Sequence, residues 1–191
     1  MRIALFQSDI QWCNIEANLF NVERVLRTYS QQIDLLILPE MFTTGFCMEA
    51  EALSEEMNGE TWSTLVSWSK IYGVAIVGSF IAKELGRYYN RAFFISPDNE
   101  YWTYDKRHLF SIGSERKCFT AGKDKIIVPY MGWNICLQIC YDLRFPVFSR
   151  CVENEYDLLI YVANWPTSRI DAWNILLPAR AVENQSYVCG V

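Results

Sequence analysis

An apolar run that stops at a thiol is what most constrains this chain. Residues 133–139 read as a mostly apolar run built on Trp133, Ile135, Leu137 and Ile139. Cys140 follows, and behind it comes a polar turn through Tyr141, Asp142 and Arg144. A short apolar run cut off by turn chemistry is the pattern of a buried strand. In open α/β sheets, ligands bind just beyond the carboxyl ends of strands. The same punctuation occurs twice more. Residues 33–38 run apolar into Pro39 and Glu40, and residues 101–104 run into Asp105 and Lys106. A thiol, a carboxylate and an amine thus stand at three strand ends, fit to serve as nucleophile, base and electrophile.

The remaining periodicities set the architecture. Strands are expected over residues 2–7, 33–38, 74–81, 91–95, 101–104, 125–128, 133–139, 157–162 and 186–191. Leu19, Val22, Val25, Leu26 and Tyr29 recur at three- and four-residue steps, which predicts a helix over 18–30. Trp62, Leu65, Val66 and Ile71 predict a second over 61–72, ended near Gly73. A short helix opens at Pro146 and runs to 153. A longer one covers 171–184, although Pro178 inside it removes a hydrogen bond and should bend it. Residues 41–58 and 105–122 read as mostly loop. Mixed hairpins and β-α-β units argue for an α/β fold with mixed sheets and helices on the outer faces.

Composition closes off several function classes. The chain has 191 residues, 51% of them hydrophobic and 15% aromatic, enough for one domain with a sizeable core. Its charges are mixed in sign, with a net of -5 and no basic stripe, so no nucleic-acid partner is expected. No apolar run reaches membrane-spanning length, so no membrane partner is expected, and the start turns polar too soon for a secretory leader. Seven cysteines, an odd number mostly in apolar stretches, read as free thiols in a reducing cytoplasm. Cys136 and Cys140 are four residues apart and His108 is the only histidine, which is poor ligand spacing for zinc. No metal and no cofactor are expected.

Position alone does not make Cys140 reactive, because free cysteine is among the most buried residue types. A nucleophilic cysteine also needs a base. His108 and Glu40 are the two candidates, and a partly desolvated carboxylate can work as a base near neutral pH. Lys106 is either an ordinary solvated lysine or a fixed positive charge for a developing oxyanion. Arg144 either faces a substrate carboxylate or forms an ion pair near the turn, and the ion pair is the expected outcome.

Glu40, Lys106 and Cys140, in that order at strand ends, resemble the nitrilase superfamily of carbon–nitrogen hydrolases. The matching segments are Leu38-Pro39-Glu40, Tyr104-Asp105-Lys106 and Ile139-Cys140-Tyr141, each with its flanks. The start at residues 3–7 and residues 178–185 are also similar, so the resemblance covers essentially the whole chain. It implies a four-layer α-β-β-α sandwich of two mixed sheets in a single domain over residues 1–191, with the family's last strands and tail missing after Val191. It implies that Glu115 orients Lys106 and the substrate. Tyr141, Asn164, Trp165 and Phe42 would bind substrate.

Residues 42–46, 106–110, 145–150 and 161–166 look most like the omega-amidase branch. That resemblance implies cysteine-dependent hydrolysis of a small carboxamide, the omega-amide of a dicarboxylic or 2-oxo dicarboxylic acid such as alpha-ketoglutaramate. The reaction would pass through a thioester and release ammonia. Alternatives with the same triad act on an N-carbamoyl amine, a nitrile or deaminated glutathione. An inactive, truncated scaffold is a further alternative. The resemblance also implies a small-molecule amide partner and a homodimer.

Overall fold

The computed structural model describes residues 1–191. Two sheets lie face to face. The first has the order β1 (Ile3–Leu5), β2 (Leu35–Ile37), β3 (Ala75–Glu84), β4 (Arg87–Ile95) and β5 (Tyr101–Asp105). Its β1, β2 and β3 run parallel, and β4 and β5 add on antiparallel. The second has the order β6 (Ile127–Tyr130), β7 (Trp133–Ile139), β8 (Leu158–Val162) and β9 (Tyr187–Gly190). Here β6 and β7 are antiparallel, and β7, β8 and β9 are parallel.

Period-two side-chain alternation sorts the core into layers. Leu35, Ile37, Val77 and Phe94 of the first sheet pack against Ile135, Leu137, Ile160 and Val162 of the second. The opposite face of the first sheet, through Leu36, Ile76 and Phe93, is covered by Leu19, Val22 and Leu26 of α1 (Ile15–Tyr29) and Trp62 and Leu65 of α3 (Glu60–Tyr72). The outer face of the second sheet, through Cys136, Leu159 and Tyr161, is covered by Trp173, Leu176 and Leu177 of α6 (Ile170–Asn184). This is the α-β-β-α sandwich of two mixed sheets. No helix is long and apolar enough to cross a membrane.

Several boundaries differ from the sequence expectation, each for a local reason. Helix α1 starts earlier than residue 18 because the Asn14 side chain accepts a hydrogen bond from the Ala17 N–H at 3.1 Å and caps it. Strands β3 and β4 are longer than expected and meet in a two-residue turn at Leu85 (φ 47°) and Gly86 (φ 72°). Met131 (φ 49°) and Gly132 (φ 77°) make the equivalent turn between β6 and β7, which leaves Pro129 in the edge strand β6. The helix from Pro146 is a single turn, α5 (Pro146–Ser149). The stretches read as loop contain two further turns, α2 (Ala50–Leu53) and α4 (Glu115–Cys118). Helix α6 stays helical through Pro178.

Two contacts knit the ends of the strands into one surface. The Glu40 N–H, just past β2, reaches the carbonyl of Ala163, just past β8, at 3.4 Å. Arg180 of α6, only 3% exposed, donates to the Leu143 carbonyl at 2.6 Å and ties the helix to the turn after β7.

Candidate active site

Four of the residues singled out in the sequence converge where these strands end. Glu40, Lys106 and Glu115 are fully buried, and Cys140 is 9% exposed. Lys106 Nζ donates to Glu40 Oε1 at 2.7 Å and to both oxygens of Glu115 at 3.0 Å. Asn90, from β4, donates through Nδ2 to Glu40 Oε1 at 2.8 Å and to Glu115 Oε1 at 3.1 Å. Ser79 Oγ donates to Asn90 Oδ1 at 2.9 Å and accepts the Met41 N–H at 2.8 Å. The second oxygen of Glu40 accepts the Asn164 N–H at 2.9 Å, and the Asn164 side-chain amide donates to the Glu40 carbonyl. The Phe110 N–H donates to Glu115. Every acceptor of the cluster is thus held by a donor from a different element, which fixes the carboxylates to a small fraction of their free motion.

Charge sets the protonation of this cluster. Burial alone would pull the Lys106 ammonium down, but Glu40, Cys140 and Glu115 together hold it well above its ordinary range. Glu115 is pushed up by burial against the opposing pull of Lys106. The Cys140 thiol is pushed far up by burial and then by Glu40, with Lys106 pulling the other way. Two carboxylates around one ammonium leave one net negative charge in a desolvated space. A thiolate formed by losing its proton to solvent would raise that to two. A proton passed from Cys140 to Glu40 leaves it at one. The site therefore favours a resting thiol with a base beside it over a preformed thiolate.

The turn that carries the thiol is strained and clamped. Cys140 has φ 44°, the left-handed region that side chains other than glycine adopt at a cost. Asp142, fully buried, holds it there. One Asp142 oxygen accepts the Tyr104 hydroxyl at 2.7 Å and the Ile139 N–H at 3.0 Å. The other accepts the His108 N–H at 2.9 Å and faces His108 Nδ1 at 2.8 Å. The His108 ring stacks on Phe145 at 3.7 Å between centroids. His108 is therefore committed to Asp142 and the turn, and Glu40 is the carboxylate beside the thiol. Asp142→Asn replaces one acceptor oxygen with a donor that faces donors. The expected result is a loss of about 2 kcal/mol in stability and a lower kcat, read from the denaturant midpoint and steady-state kinetics. An unchanged midpoint would remove Asp142 from this role.

A cavity of about 290 Å³ opens over Cys140, lined among others by Phe46, Phe110, Tyr141, Asn164 and Trp165. Tyr141, Asn164 and Trp165, which the sequence reading proposed for substrate binding, line this cavity. Phe42 does not. It is 2% exposed and packs edge-on against Phe93 in the core at 6.1 Å, while Phe46 takes the wall position and sits 5.1 Å from Lys106 Nζ. Arg144 makes no ion pair, contrary to expectation. Its guanidinium lies over the Trp165 ring at 5.4 Å, on the cavity wall. Asn90 and Asp142 were missed in the sequence. No local signal marks Asn90, which shares its strand with Arg87 and Arg91. For Asp142 the available signal was an acid two residues after the nucleophile.

The carbon-nitrogen hydrolase family matches this chain over residues 2–191. The chain is similar to the omega-amidase YafV of Yersinia enterocolitica, 43% identical over 192 residues that cover 100% of this chain and 73% of the relative. It is also similar to the 2-oxoglutaramate amidase of Bacillus subtilis (strain 168), 32% identical over 97% of this chain and 73% of that relative. Among solved structures, a CN-hydrolase superfamily protein of Xanthomonas campestris with an arsenic adduct in its active site matches with a TM-score of 0.97 at 39% identity. The match covers 100% of this chain and 75% of that one.

Proposed function

The chain belongs to the carbon-nitrogen hydrolase family, and we propose that it is an omega-amidase that splits the terminal amide of a small dicarboxylic or 2-oxo dicarboxylic monoamide. One observation carries the chemistry: a buried thiol, a buried carboxylate and a buried ammonium meet at the floor of a small cavity. The likeness to relatives named for omega-amide hydrolysis supports the substrate class.

In this reading Cys140 Sγ attacks the amide carbon as Glu40 takes the thiol proton. The carbonyl oxygen becomes an oxyanion beside Lys106 and the Tyr141 N–H, which stands in the first turn of the 3-10 helix Cys140–Arg144. When the tetrahedral intermediate collapses, the carbon–nitrogen bond breaks and Glu40 hands its proton to the leaving nitrogen, which departs as ammonia. The acyl group remains as a thioester on Cys140. Glu40 then takes a proton from water, and the resulting hydroxide attacks the thioester. Sulfur leaves and recovers its proton from Glu40, so the enzyme returns to its starting state. Glu115 takes no proton here. It fixes Lys106 Nζ from the side opposite Glu40, so the ammonium stays on the oxyanion.

Rapid mixing with a monoamide, acid quench and mass spectrometry of the intact protein test both halves of the reading. The expected result is an acyl adduct on Cys140 that decays with free acid as product, with ammonia released in the first step. Ammonia release without any adduct would overturn the thioester route. Faster turnover of a nitrile or an N-carbamoyl amine than of any monoamide would overturn the substrate class.

A further inference from the structure

The cavity over Cys140 is lined by two cations that the triad does not use, Arg144 and Arg169. Arg169 lies in the turn between β8 and α6, and its guanidinium sits over the Phe110 ring at 5.0 Å. Phe110 belongs to the segment after β5, so the side chain crosses from one wall of the cavity to another. Arg144 occupies the remaining side, on Trp165. The two mounts are joined, because the Trp165 indole N–H donates to the Arg169 carbonyl at 2.9 Å.

Arg144 and Arg169 are the arginines that line this cavity. Arg91 and Arg180, the two most buried arginines, each pair with a carboxylate. Arg144 and Arg169 pair with none, and the cavity wall they share contains no aspartate or glutamate, in a chain whose net charge is -5. A guanidinium held over an aromatic ring by its charge leaves its N–H donors unused by the ring, and their planar fork matches a carboxylate. Arg169 is partly buried and Arg144 is exposed at the cavity mouth. With no protein acceptor in the cavity wall, their donors are free to meet a carboxylate on a ligand. At about 290 Å³ the cavity is at the small end for ligand sites, so a substrate whose amide reaches Cys140 places its other end among these walls.

We propose that Arg169 is a specificity-determining residue, which with Arg144 receives the free carboxylate at the far end of the amide substrate and so selects anionic over neutral amides. This rests on the omega-amidase reading and deepens it by naming the group that reads the charge. Arg169 touches the non-reacting end, so its contribution is to binding. The acid–base steps at Glu40 proceed without it.

The test compares matched amides of one chain length: a dicarboxylic monoamide, its neutral alkyl analogue and its omega-amino analogue. Each is assayed by ammonia release with the wild type, Arg169→Gln and Arg169→Glu, after circular dichroism shows that all three proteins are folded. Arg169→Gln should lower the anionic-over-neutral ratio of kcat/KM by about 10- to 100-fold, mostly through KM. Arg169→Glu should lower it further and raise relative turnover of the omega-amino amide. A wild-type preference for the anionic amide that both variants retain would overturn the assignment of Arg169 and leave the omega-amidase reading standing. A wild type with no preference for the anionic amide would overturn that reading itself. If Arg169→Lys restores the ratio, charge at this position is what selects; if only arginine supports it, the planar fork is required. Either result upholds the assignment.

Discussion

Cys140→Ala abolishes turnover, with kcat reduced on the order of 10⁴-fold or more, while the protein stays as stable as the wild type to within about 1 kcal/mol. The two halves of this expectation have separate causes. No other thiol can replace the nucleophile. Cys136, four residues earlier, faces the outer layer of the second sheet with Leu159 and Tyr161, away from the cavity. Stability is spared because the Cys140 thiol contributes little that holds the fold. The turn is fixed by Asp142, by Arg180 on the Leu143 carbonyl and by strand β7, none of which the substitution touches. Cys140→Gly extends the argument. At φ 44° a glycine avoids the steric cost that cysteine bears, so this variant should be inactive yet melt no lower than Cys140→Ala. Ammonia release from saturating amide and thermal unfolding followed by circular dichroism read the two effects. Residual turnover within about 100-fold of wild type would show that another group starts the reaction.

What could be read from the sequence follows the range of the interactions. The three strand ends were legible because chemistry-bearing residues interrupt apolar runs, and their order in the chain matched the order of a known triad. The four layers were implied by the resemblance and not by periodicity. Residues 35–38 form an unbroken apolar run, and only the packed sheets put Leu35 and Ile37 on one face of β2 and Leu36 on the other. Two turns are tighter, and their strands reach further toward them, than expected because Leu85 and Met131 adopt positive φ, which their residue types do not announce. Phe42 and Phe46 were equally aromatic in the sequence. Only the sheet packing decides that the first fills the core against Phe93 and the second lines the cavity. Asn90 and Asp142 escaped for a related reason. Asn90 acts on Glu40 fifty positions away and Asp142 on Tyr104 thirty-eight away, and no local pattern marks partners at such separations.

Lys106→Met should be the most destabilising single substitution in the site, costing about 3–5 kcal/mol at neutral pH. The ammonium is fully buried, and it alone stands between two buried carboxylates. Without it, Glu40 and Glu115 face each other with only the Asn90 amide between them. Like charges in a low-dielectric space raise the pKa of the pair, beyond the raised value Glu115 already has from burial. The sign of the pH dependence follows. A carboxyl whose folded pKa lies above its unfolded value contributes fully to stability below the unfolded pKa. That contribution is lost as pH rises through the folded pKa. The deficit of Lys106→Met relative to wild type should therefore shrink as pH falls from about 7 toward about 5, where one carboxyl of the pair takes up a proton. Denaturant midpoints at the two pH values measure it, and an equal deficit at both would show that lost packing, not charge, is the cause. The double variant Lys106→Met/Glu115→Gln, which removes one of the repelling charges, should recover much of the stability at pH 7. It should nevertheless remain without activity, because the thiol and its base are still in place but no cation faces the oxyanion.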